Sequence, residues 1–195
     1  MERFIESIRK ALESKNWFSA LFMALTLPDI CGALENHGKA SPRKYKDWFD
    51  RYLRSKYEPN SRYESIQAWR PEIIRQLGDA AESLKNQPID QEIVFTADDC
   101  YRARCKCLHQ GLLEKSSGQQ FDFITPPPYG AIIHGNIFNG VFQLQIDVFC
   151  EDVCTGVEEW LRDVASDDQI QSGIEQLMQI NHCSTLEPFI KFRGT

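Results

Sequence analysis

The stretch YRARCKCLHQG, residues 101–111, places Arg102, Arg104, Cys105, Cys107 and His109 within eleven positions. A guanidinium beside an imidazole suits a phosphodiester. Arginine offers a permanent planar charge to phosphate oxygens, and histidine moves protons near neutral pH. In RNA the 2′-hydroxyl is an internal nucleophile, so such a pair needs no metal. On an ideal helix His109 lies about 20° from Arg102 but about 140° from Arg104. Arg102 therefore shares its face directly. Arg104 reaches the same spot only through its long side chain, a local distortion, or a partner subunit.

The same stretch is poor in other chemistry. Cys100, Cys105, Cys107 and His109 follow C-x4-C-x-C-x-H, and helical neighbours two apart point about 200° from each other. These groups do not converge on one ion, and zinc sites use C-x2-4-C pairs from turns. Cys150 and Cys154 share a helix face but lack a second pair, so neither a metal nor a cofactor is expected. Seven cysteines without framework spacing read as reduced thiols serving as small buried hydrophobes. Nucleophilic thiol chemistry needs an adjacent base and a third orienting group, and no motif supplies them. A regulatory thiol at Cys105 or Cys107 remains a minor alternative. The phosphate-binding loops G-x-x-x-x-G-K-[ST] and G-x-G-x-x-G and the zincin motif H-E-x-x-H are absent.

An R-x4-6-H pattern late in an all-helical domain, here RARCKCLH, resembles the signature of the HEPN superfamily. More narrowly, LPDICGALE together with YRARCKCLHQG and IDVFCEDV is similar to an uncharacterised family of bacterial proteins, over most of the chain. Residues 57–93 are longer than that likeness leads one to expect. The resemblance implies a metal-independent endoribonuclease of a defence or toxin–antitoxin system, with the motif at a homodimer cleft; other members are inactive scaffolds. By it, Arg104 binds and polarises the phosphate and His109 acts as general acid or base; Arg102, on the His109 face, is expected to assist the phosphate. The implied partners are RNA, an antitoxin or scaffold protein, and a second copy of the chain. One departure is Cys105, where active members often carry Asn, Asp or His. A second reading belongs to another class: a non-catalytic interaction module, in which Arg104 and His109 are buried and bonded inside one subunit.

The elements that position these residues are mostly helices. Phe4, Ile5, Ile8, Ala11 and Leu12 recur at helical spacing. Asn16 can cap the next helix, whose run WFSALFMALTL is apolar all round and belongs in the middle of the protein. Pro28 should kink or stop it, leaving it too short for a bilayer, with Asp29 capping a new segment. Gly32 allows close helix approach or marks a bend. Ser41 and Pro42 open a helix striped by Tyr45, Trp48, Phe49, Tyr52 and Leu53. Residues 58–69 read as a polar connection, 70–86 as one helix and 87–95 as a return loop. Thr96 and Asp99 have capping-box spacing, and Gly111 suits a helix stop. Asn139-Gly140 joins two strands over about 131–149, and two C-terminal helices follow. His134 and Asn136 share one face of the first strand, where they could line a site but are expected on a polar sheet face. His37 reads as a loop residue, His182 lies near the end of the last helix, and Glu35 should pair with a nearby base.

The reading is a mainly α helical bundle of HEPN-like type with a small antiparallel β-hairpin, one domain over 1–195. A net charge of −6 argues against nonspecific binding of nucleic acid. The charge is uneven, however. From Asp147 onward ten acidic residues face three basic ones, whereas residues 42–57 hold six basic and two acidic. A polyanion could meet that face, but a solvated helix surface is the favoured reading. The N-terminus MERFIESIRK interleaves charge with apolar residues, unlike a signal peptide or membrane anchor. The expectation is a cytoplasmic protein.

Overall fold

Helix α2 (Trp17–Leu34) is the axis against which α1 (Glu2–Glu13), α3 (Pro42–Tyr52), α7 (Ala97–Gln110) and α8 (Ile146–Asp163) pack. The computed structural model describes residues 1–89, 94–110 and 121–180. Gly111, the polar run 114–120, His182 and the middle of the 87–95 return lie outside the described residues.

The expected stop at Pro28 does not occur. Asn16 caps α2 by accepting from the Ser19 N–H at 3.3 Å, and the helix runs unbroken through Pro28. An interior proline costs about 3 kcal/mol, and burying a single large apolar side chain returns about 1.5–3 kcal/mol. Leu21, Leu25, Leu27 and Cys31 are all buried, so packing outweighs the break. Three residues before Pro28, the Leu25 carbonyl accepts a hydrogen bond from the Tyr45 hydroxyl at 3.2 Å. At 18 residues and mean hydropathy 1.5, α2 is long and apolar enough to cross a membrane by length and composition. The expectation that it is too short depended on the stop, and is corrected with it.

Ser41 caps α3 through the Lys44 N–H at 3.4 Å. A Cβ on Gly32 would lie 3.0 Å from the Lys44 Cβ and 3.1 Å from its backbone, so Gly32 serves close approach of α2 and α3. Three short helices follow: α4 (Arg54–Tyr57), α5 (Arg62–Trp69) and α6 (Pro71–Leu77). The single helix expected over 70–86 breaks at Gly78, whose φ of +53° leaves the helical region, and continues as 3-10 turns to Asn86.

The capping box that opens α7 is reciprocal. Asp99 Oδ2 accepts from the Thr96 N–H at 3.0 Å and its hydroxyl at 2.7 Å, and the Asp99 N–H donates to Thr96 Oγ1 at 3.2 Å. A three-stranded sheet follows, in the order β1 (Phe121–Ile124), β3 (Val141–Gln145), β2 (Ile137–Phe138). The β2–β3 hairpin turns on Asn139 and Gly140, with φ of +50° and +73°. β1 runs parallel to β3, a strand the sequence reading did not anticipate.

Both hairpin strands are shorter than expected. Gly135 and Asn136 together oppose Gln143: the Gly135 N–H donates to its carbonyl at 2.9 Å, and its N–H donates to the Asn136 carbonyl at 2.8 Å. With Gly135 at φ +76°, this two-against-one pairing is a bulge that ends regular pairing. On the other strand, Ile146 begins α8 instead of continuing β3. Ile146, Phe149, Cys150, Val153, Cys154, Val157 and Trp160 are buried at helical spacing, and that long stripe overrides the short alternation at its start. α9 (Asp168–Glu175) is capped by Asp167, which accepts from the Ile170 N–H at 3.0 Å. The fold is mainly α, with its small sheet in the C-terminal half.

Candidate functional site

Helix α7 lies against α2 and α3 and carries the Arg104–His109 pair. Arg104 Nη1 stands 3.0 Å from His109 Nε2 in the same chain. The 140° between the two positions is closed by the reach of the arginine, with no neighbouring subunit. Arginine has only donors, so Nε2 accepts and the neutral imidazole keeps its proton on Nδ1. His109 is exposed, while the Arg104 side chain is 21% exposed.

A third group completes the constellation. The Arg104 Nε–H donates to Asp29 Oδ2 across the α2–α7 contact. Asp29 is therefore no helix cap: it stands inside α2, one residue beyond Pro28, and braces the guanidinium. Burial pushes the Asp29 carboxyl above its ordinary range, with Arg104 pulling the other way. Burial also opposes the Arg104 charge, but Asp29 and Cys105 outweigh it and the guanidinium is held charged. The sequence offered a signal: a lone carboxylate in an apolar helix requires a partner.

The surroundings are aromatic and sulfur-bearing. Arg104 Nη1 reaches Cys105 Sγ at 3.9 Å. The hydrogen bond to Cys105 raises the Tyr101 phenol above its usual pKa. Tyr101 packs edge-on to Tyr45 at 5.3 Å, and the Lys46 ammonium lies 5.7 Å from the Tyr101 ring centre. Arg102 does not join the group. Its guanidinium pairs with Asp99 one turn earlier, on an exposed surface, so the expected shared face with His109 carries no contact between them among the described residues.

The basic stretch 42–57 is neutralised residue by residue. Arg43 faces Asp47 at 3.8 Å, Lys44 and Arg51 both face Glu35, Arg54 pairs with Glu64 at 2.5 Å, Lys46 pairs with Asp98, and Lys56 with Asp152. Glu35 pairs with a base as expected; Arg51 meets its two oxygens at 2.7 and 2.8 Å, and Trp160 Nε1 donates at 2.9 Å. His37 makes a surface hydrogen bond with Gln169 at 2.6 Å. Among the described residues, no group of three His, Cys, Asp or Glu side chains could hold a metal ion.

Cys31, Cys100, Cys107, Cys150 and Cys154 are buried free thiols, and Cys105 is partly exposed. Burial pushes Cys100 and Cys154 up to about 12, and raises Cys31, Cys107 and Cys150 as well. Only the thiolate alkylates. In a Cys183→Ser background, brief iodoacetamide treatment at pH 8 should label Cys105 ahead of the five buried thiols, as read by peptide mass mapping. Equal labelling of Cys105 and Cys100 would contradict this burial pattern. Because the folded thiols titrate above the ordinary value near 9, their contribution to stability is full below pH 9. It is lost as pH rises from there towards 12, and urea midpoints should fall across that window.

No protein-family model, curated protein or solved structure matches the chain.

Proposed function

We propose that this protein cleaves RNA without a metal, using Arg104 on the phosphate and His109 in proton transfer. The observation that carries the reading is the 3.0 Å approach of Arg104 Nη1 to an exposed His109 Nε2, with Asp29 holding the guanidinium from behind. Arg104 Nη1 occupies the lone pair of Nε2. A phosphate oxygen drawing Nη1 onto itself would free that lone pair beside a ribose 2′-hydroxyl.

The reaction then balances simply. The 2′-oxygen forms a bond to phosphorus and passes its proton to an imidazole. The bond from phosphorus to the 5′-oxygen breaks, and that oxygen receives a proton. Arg104 stabilises the charge gathered on the phosphorane oxygens. One His109 serves one of the two proton transfers, and a second copy of the chain would supply the other, in keeping with a homodimer. The reading carries a cytoplasmic protein whose partners are RNA and a cognate antitoxin or scaffold protein.

The test is cleavage of single-stranded RNA by purified protein in excess EDTA. The expected products carry 2′,3′-cyclic phosphate ends, and a 2′-deoxy residue 5′ of the scissile bond should block the reaction. Cleavage that needs a divalent ion, or leaves 3′-hydroxyl ends, overturns the reading.

One observation favours a second reading, a non-catalytic interaction module. Arg104 already has a carboxylate partner inside its own subunit, and the six basic residues of the 42–57 stretch are likewise paired. In that reading Asp29, Arg104 and His109 fasten α7 to α2, and the protein binds its partner elsewhere.

A further inference from the structure

A second concentration of polar chemistry lies away from Arg104, where the hairpin approach meets the α4–α6 segment. A hollow of about 410 Å³ is lined there by Lys56, Trp69, Arg70, His134 and Asn136, with Ser65 and the apolar Pro59, Ile132 and Phe142. The size suits a small organic ligand. Among the described residues its lining holds two cations, a histidine, an amide and a hydroxyl, and no carboxylate, in a chain of net charge −6. The bulge at Gly135 makes this possible. It ends the strand before residue 134, so His134 and Asn136, expected on a polar sheet face, wall the hollow instead.

Two groups in that wall lack partners. The Gln145 N–H donates to His134 Nδ1 at 3.0 Å, which places the neutral ring's proton on Nε2. That Nε2–H is cut off from bulk water and has no acceptor among the described residues. A buried donor without an acceptor is costly and marks a place where an acceptor is missing. Burial keeps this imidazole below its ordinary pKa, so it stays neutral at physiological pH. Arg70 is the second group. It is exposed, and no carboxylate meets it among the described residues. Lys56, by contrast, is committed to Asp152.

The aromatic component is Trp69. Its Nε1–H is spent on the Lys56 carbonyl at 3.1 Å, and its ring stands 5.2 Å from that of His134. Trp69 as a residue is nevertheless 37% exposed, with the Lys56 ammonium over its ring at 5.6 Å. An exposed indole among donors accepts a flat ring by stacking, and a guanidinium with no carboxylate accepts an anion. A ligand satisfying both joins a planar ring to a phosphate.

We propose that this hollow binds a mononucleotide, with its base against Trp69 and its phosphate on Arg70. Asn136 adds hydrogen bonds from the wall, and the His134 ring backs it. The proposal does not rest on the nuclease reading, because the two sites share no residue.

The experiment is isothermal titration of the full-length protein at low salt with AMP and UMP, beside adenosine and inorganic phosphate. Saturable binding with a Kd on the order of 100 μM is expected for the nucleotides. Adenosine and phosphate alone should each bind at least roughly tenfold more weakly. Arg70→Gln alters an exposed side chain and should keep the fold while weakening AMP by roughly tenfold or more. Trp69→Leu should weaken it by a similar factor, with its thermal midpoint reported alongside. His109→Ala should bind AMP like the parent. Failure of AMP and UMP to saturate by about 10 mM, a range where even weak sites fill, overturns the proposal. So does phosphate binding as tightly as AMP, or AMP binding that Arg70→Gln leaves unchanged. Loss in His109→Ala with retention in Arg70→Gln would move the ligand to the other site and overturn it too.

Discussion

His109→Ala is expected to slow RNA cleavage by roughly 10²–10⁴-fold, the range for removing a general acid or base. The residue is exposed and at the end of α7, so the fold should tolerate the change. Arg104→Ala should cost roughly 10²–10³-fold through lost charge stabilisation on the phosphate. Arg104→Lys separates charge from shape: a lysine keeps the charge but not the fork that reaches Asp29 and the phosphate together, so recovery should be slight. Asp29→Asn divides the two functional readings. In both it removes the counter-charge of a half-buried guanidinium while leaving an amide acceptor, and should lower stability by about 2 kcal/mol. If the pair is catalytic, kcat should fall at temperatures where the variant is still fully folded, since Arg104 loses its brace. If the constellation only fastens helices, urea midpoints move and no RNA cleavage exists to be lost. Unchanged cleavage in His109→Ala sinks the assignment outright.

How much of this was legible in the sequence follows from distance along the chain. Asn16, Ser41, the Thr96–Asp99 box and the Asn139-Gly140 turn act within three residues, and each stands where the sequence placed it. The Asp29–Arg104 bond joins residues 75 apart, and no local pattern announces it. Asp29 even carried a sufficient local explanation as a cap, which the unbroken α2 removes. The same holds for β1: a parallel partner for β3 is a non-local pairing, and the Phe121–Asp122–Phe123 alternation is too short to announce a strand. At Ile146 two periods overlap in one stretch. Phe142 and Leu144 fit a strand, while Ile146, Phe149 and Cys150 fit a helix, and only packing against α2 decides the boundary. The candidate chemistry was half visible. An arginine near His109 was nameable from type and spacing, which favoured Arg102, and Arg104 was named only by the resemblance; that Arg104 and not Arg102 faces the histidine required the ion pairs with Asp29 and Asp99.

The largest loss of stability is expected at a residue the sequence did not single out. Asp152, on α8, is 8% exposed, and it accepts from the Tyr57 hydroxyl at 2.7 Å and from the Lys56 ammonium. Tyr57 is the hub of the aromatic core, within 6.1 Å of Phe49, Phe95, Phe149, Trp69 and His134. Burial, and then Asp152, raise its phenol well above the usual pKa, so it remains a donor. Asp152→Ala strands a buried hydroxyl and an ammonium together. Breaking such a pair costs about 3–5 kcal/mol, against a total stability of about 5–15 kcal/mol for a folded domain. Asp152→Asn keeps an acceptor for Tyr57 but no charge for Lys56, and should lose less than Asp152→Ala. The pair Lys56→Met with Asp152→Asn removes the stranded charge and keeps the acceptor, so it should recover most of the loss. Urea midpoints of the three variants test the order. An Asp152→Ala midpoint within about 0.5 kcal/mol of the parent, the scale of an ordinary surface change, would mean this pair does not hold α8 to α4.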